Sequence, residues 1–94
     1  MYQRILVPID GSSTSNRGLI EAIQVARLTG GRLRLLHVID ELSFALAMDA
    51  YAGLAGTWLE ELRSTATKLL QAAQARAVEA NVEADTVLID RFKG

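Results

Sequence analysis

The apolar positions of this 94-residue chain alternate between short continuous runs and longer helical stripes. From Arg4 to Ile9 nearly every residue is apolar or β-branched, so residues 2–9 read as a strand of the kind buried on both faces of a parallel sheet. Asp10-Gly11 stops that run, and Ser12-Ser13-Thr14-Ser15 supplies hydroxyls that cap a helix. Leu19, Ile23 and Ala26, with Ile20 beside them, recur at helical spacing and predict a helix from about Ser13 to Thr29. Gly30-Gly31 ends it, because glycine tolerates the left-handed conformation of a helix C-terminus. Arg32 to Ile39 begins with alternation and becomes continuously apolar, a second strand closed by Asp40-Glu41.

Residues 42–56 fit either a short helix or an apolar loop, with Leu42, Phe44, Leu46, Met48 and Tyr51 set among alanines. Phe44, Met48 and Tyr51 are read as covering the sheet rather than as a partner-binding patch. Thr57 with Glu60 three residues on is a capping-box pattern. A long helix to about Ala80 follows, with Trp58, Leu62, Ala66, Leu69 or Leu70, Ala73 and Ala77 on one stripe and Asn81 as its C-terminal cap. Glu83 to Ile89 is the third strand, and Asp90 to Gly94 reads as a turn or the start of a further element. The order βαβαβ predicts one α/β domain with an open parallel sheet and right-handed crossovers. Ligands of such sheets bind outside the carboxyl ends of the strands, and Asp10 stands at one of those ends.

Half of the residues are hydrophobic and mean hydropathy is +0.19, enough for a core, although a small domain buries a modest share of its surface. A net charge of −1 and a pI near 5.7 argue against a nucleic-acid partner, which requires a basic face. There is no cysteine and one histidine, so neither a disulfide framework nor a two-histidine metal site can form within the chain. The N-terminus does not read as a signal peptide and no apolar run reaches a membrane span, which makes the cytoplasm the expected compartment and a membrane partner unexpected. His37, among Leu36 and Val38, reads as structural, and Glu60, Glu61, Arg63, Lys68 and Arg76 as a solvated helix face.

Tyr2-Gln-Arg-Ile-Leu-Val-Pro-Ile-Asp-Gly-Ser12, Glu21-Ala-Ile-Gln-Val-Ala26, Leu35-Leu-His-Val-Ile-Asp40 and Thr86-Val-Leu-Ile89 together resemble the universal stress protein family. The resemblance implies an adenine nucleotide α-hydrolase-like fold with strand order 3-2-1-4-5, of which residues 1–94 would be a single domain, incomplete at its C-terminus and lacking strands 4 and 5. It also implies ATP, with magnesium, as ligand. Pro8 and Ile9 would offer backbone groups on the adenine side, Asp10 would take the ribose hydroxyls, and Val38 would pack on the base. The glycine-rich segment that holds the phosphates in that family has no match here, which implies weakened or lost binding.

Without strand 4, strand 1 becomes an edge, and exposed edges recruit strands. The chain is therefore expected to form a homo-oligomer through its first strand or by swapping. No nucleophile–base pair is visible, so a regulatory module in stress response is expected rather than an enzyme. The alternatives are a self-association module of the same fold that binds no nucleotide, and a receiver-like phosphoacceptor using Asp90.

Overall fold

A computed structural model describes residues 3–39 and 55–90, with side chains placed from residue 60 in the second stretch. Strand β1 (Arg4–Pro8) leads to helix α1 (Ser13–Thr29), strand β2 (Arg32–Ile39), helix α2 (Ala55–Glu79) and strand β3 (Ala84–Asp90). All pairings are parallel and the sheet order is β1-β2-β3. Arg4 stands opposite Arg32 and Pro8 opposite Leu36, while Leu33 stands opposite Ala84 and Ile39 opposite Asp90.

The helix ends are set by local chemistry. Ser12 is the N-cap of α1, its Oγ accepting from the Ser15 N–H at 3.1 Å. Gly30 closes α1 at φ 71°, and the Gly31 N–H reaches back to the Ala26 carbonyl at 3.0 Å. Asn81 takes the equivalent role after α2, at φ 62°, with the Val82 N–H on the Ala77 carbonyl at 2.9 Å. Thr57 is not an N-cap: α2 begins at Ala55, so the capping-box residues lie within the helix. Strand β3 begins at Ala84 rather than Glu83 and runs to Asp90, which belongs to the strand and not to a turn. Residues 42–54, with Phe44, Met48 and Tyr51, and the side chain of Trp58 lie outside the described residues.

Both connections step across the sheet in one direction, and right-handed crossovers of that kind place both helices on one face. The core lies between that face and the helices. Val7 of β1, Ile9 just after it, and Leu33, Leu35 and Ile39 of β2 are buried there. Leu19, Ala22, Ile23 and Ala26 of α1 cover them, with Ala66, Leu70, Ala73 and Ala77 of α2. The alanines let α2 approach the strands closely, and the α2 stripe from Ala66 onward runs as the periodicity predicts.

The other face differs from the sequence expectation. Leu6, Val38 and Ile89 are 62%, 44% and 40% exposed, so β1 is buried on one face only. Strand hydrophobicity reports where cover is needed, and among the described residues no element supplies it on this side. Arg34 lies in the middle of that open face and forms a two-pronged pair with Asp85 across β2 and β3, both bonds 3.0 Å.

Candidate functional site

The carboxyl ends of β1 and β2 are shaped by three polar side chains. Ser15 sits in the first turn of α1, on the apolar stripe of Leu19, Ala22 and Ala26, and is buried. A buried hydroxyl needs partners. Its Oγ donates to the Pro8 carbonyl at 3.2 Å and accepts from the Asp10 N–H at 3.1 Å, clamping the chain as it leaves β1. Gly11 then turns at φ 82°, in a region a side chain rarely adopts, and a Cβ there would stand 3.3 Å from the Leu69 side chain.

Asp10 is exposed, and its Oδ1 accepts from the Ser12 N–H at 2.9 Å. Hydrogen bonding from Ser12 holds its carboxyl below the ordinary aspartate value, and the field of His37 adds a smaller push in the same direction. The group is an ionised acceptor at neutral pH.

His37 uses Nδ1 on the Ile9 carbonyl. A carbonyl only accepts, so Nδ1 carries the proton and the ring ties the end of β1 to β2. This agrees with the structural reading of His37 from sequence. Arg63 reaches from α2 to Asp90 at the end of β3, Nη2 to Oδ2 at 2.8 Å. It is half-exposed and paired, whereas Glu60, Glu61, Lys68 and Arg76 are exposed as expected. The same bond engages Asp90, the aspartate of the receiver-like reading, in an ion pair.

The four residues proposed from sequence to meet a nucleoside are thus distributed as follows. Pro8, Asp10 and Val38 are exposed, and extending the β1–β2 register by two residues sets Asp10 level with Val38 on the open face. The Ile9 side chain is buried, and its N–H donates to the Leu36 carbonyl at 2.7 Å, so only its carbonyl is left as a second-acceptor position. Ser15, His37 and Arg63 were not singled out for these roles. Ser15 alone carried a sequence signal, its place four residues before Leu19 on the buried stripe. Among the described residues no group of three or more histidine, cysteine, aspartate or glutamate side chains could hold a metal ion, and no helix is long and apolar enough to cross a membrane.

An exposed acidic residue after β1, on an open parallel sheet, defines an α/β domain with its crevice at the carboxyl ends. A model of the universal stress protein family matches residues 1–91, and the chain belongs to that family. Among solved structures it is similar to a universal stress family protein from Burkholderia pseudomallei, with 27% identity and a TM-score of 0.80 over 95% of this chain and 63% of that one. It shares its fold with the universal stress protein of Archaeoglobus fulgidus, at 23% identity and a TM-score of 0.71, covering 100% of this chain and 61% of that one. It does so too with UspA from Lactobacillus plantarum, at 22% identity and a TM-score of 0.75, covering 95% and 61%. The chain spans about 60% of the length of these solved chains.

Proposed function

We propose that this chain is a cytoplasmic regulatory module of the stress response that binds adenine nucleotide by its nucleoside half and does not turn it over. The observation that carries the reading is the ionised, exposed Asp10 carboxylate two residues past the exposed Pro8, at the carboxyl end of a sheet whose second strand exposes Val38. An exposed carboxylate suits a vicinal diol, and an exposed apolar wall suits the face of a base. The residues present fit the nucleoside and not the triphosphate. The glycine-rich phosphate segment has no match in the sequence, so the phosphates of magnesium-ATP would gain few of the charge-assisted bonds that usually anchor them. Regulation rather than catalysis is supported by how the nucleophile and base candidates are used: the Ser15 hydroxyl is spent on Pro8 and Asp10, and the protonated Nδ1 of His37 on Ile9.

Calorimetric titration with adenosine and with magnesium-ATP tests this. The expected result is weak binding of both ligands, with affinities within about tenfold of each other, because the shared nucleoside supplies the contacts. Asp10→Ala should weaken adenosine by about tenfold or more, as removal of a charged acceptor does. Absence of adenosine binding, or an unchanged affinity in Asp10→Ala, would overturn the reading.

A further inference from the structure

We propose that His37 is a positioning residue of the nucleoside site: together with Ser15 it locks the Ile9–Asp10 peptide, and that lock fixes where the Asp10 carboxylate stands. The carboxylate's use toward a nucleoside rests on the reading above, while its fixed place does not.

Strand β1 ends at Pro8, so Asp10 lies beyond the paired register. Its place is set by how Ile9 leads into it. Ile9 is anchored by a side chain 4% exposed and by its N–H on the Leu36 carbonyl at 2.7 Å. From that anchor one torsion, ψ of Ile9, sets the direction of the Ile9 carbonyl. Because the peptide unit is planar, the same torsion sets the place of the Asp10 Cα. Holding the carbonyl therefore holds Asp10. His37 of β2 donates from Nδ1 to that carbonyl, and Ser15 of α1 accepts from the Asp10 N–H at 3.1 Å. Both polar ends of one rigid unit are thus bonded, each to a different element. The Asp10 carboxylate then meets the Ser12 N–H at 2.9 Å, where the locked unit delivers it.

The residue type at position 37 supports the assignment. Side chains alternate along β2, and Leu33, Leu35, His37 and Ile39 share the helix-side face. The other three are buried aliphatic residues, and His37 is the one polar member of the series. Packing there calls for another aliphatic side chain. The imidazole instead brings a donor to the Ile9 carbonyl, and departures from a local pattern of this kind cluster at functional sites.

Two substitutions separate positioning from packing. His37→Asn keeps an N–H donor at the place of Nδ1, and His37→Leu keeps apolar bulk and loses the donor. Strand propensity and burial favour leucine over asparagine, so packing predicts that His37→Leu is the milder change. Positioning predicts the reverse. Calorimetry with adenosine should place His37→Asn within about threefold of the parent and His37→Leu weaker by about tenfold or more. The same order should appear without ligand, in the pH titration of the Asp10 carboxyl followed by carboxyl-carbon NMR. Its bonds with Ser12 hold that carboxyl below the ordinary aspartate value. The titration should move up toward the ordinary value in His37→Leu and stay low in His37→Asn. Both variants remove the imidazole charge, so a difference between them reports geometry rather than field. Ser15→Ala frees the other end of the same peptide and should also raise the Asp10 titration, which tests the lock even if His37→Leu does not fold. Equal Asp10 titrations in the two His37 variants, an unmoved titration in Ser15→Ala, or adenosine bound by His37→Leu as tightly as by the parent would overturn the proposal. No adenosine binding by the parent, with the NMR order intact, would overturn the nucleoside reading and uphold the lock on Asp10.

Discussion

Replacing Ser15 with alanine should destabilise the domain by about 1–2 kcal/mol. The hydroxyl makes two hydrogen bonds, to the Pro8 carbonyl at 3.2 Å and from the Asp10 N–H at 3.1 Å. Each is worth about 0.5–1.5 kcal/mol net, giving roughly 1–3 kcal/mol together. Pro8 and Asp10 are exposed residues, so water can reach the orphaned groups and the penalty stays toward the lower part of that range. Alanine also improves helix propensity at this position by a few tenths of a kcal/mol, roughly, which offsets part of the loss. Against a total of about 5–14 kcal/mol for a domain of this size, the change is a substantial fraction. With an unfolding entropy of about 0.2 kcal/mol/K, it lowers Tm by about 5–10 °C. Urea unfolding followed by circular dichroism should show the midpoint falling by about 1 M with the slope unchanged. Ser13→Ala, at an exposed position two residues away, is the control and should stay within about 0.5 kcal/mol of the parent. A Ser15→Ala variant no less stable than Ser13→Ala would refute the claim that this hydroxyl clamps the end of β1.

Two further outcomes follow from packing and charge. Gly31→Ala should cost about 1–3 kcal/mol in the same urea assay, as overpacking does, because its Cβ would lie 2.8 Å from the Gln3 carbonyl oxygen that accepts from Arg32; an unchanged midpoint would contradict that close approach. The carboxyls of Asp10 and Asp85 are both held below their ordinary value in the folded chain, by hydrogen bonds from Ser12 and from Arg34 respectively. Their stabilising contribution is present above the unfolded aspartate pKa and is lost as pH falls through the lowered folded values. Stability should thus fall only in the acid range and less steeply in Asp85→Asn, with salt reducing the difference since the Arg34–Asp85 pair is exposed. An acid slope identical in parent and variant would sink that assignment.

The elements were legible because their boundaries are written in local chemistry. Ser12, Gly30 and Asn81 each act within a few residues, and α1 and β2 have the limits that pattern and caps predict. The register of apolar positions likewise identified the stripes of α1 and α2. What was not legible is non-local. The apolar run of β1 is the same whether one face or two are covered, and the direction of both crossovers decides that. The Arg63–Asp90 pair joins residues 27 apart, so Arg63 looked like one more charge on a polar helix face. The site was legible in part. Asp10 is announced by the end of the first strand, while the bond from His37 to Ile9 depends on the β1–β2 register, 28 residues apart in sequence.

One buried side chain, Ser15, fixes how the chain leaves β1 and enters α1. Its hydroxyl takes the carbonyl of Pro8 and the N–H of Asp10. The hydroxyl cluster that looked like capping alone thus splits its labour: Ser12 starts the helix and steadies the Asp10 carboxylate, and Ser15 ties that aspartate's backbone to the Pro8 carbonyl.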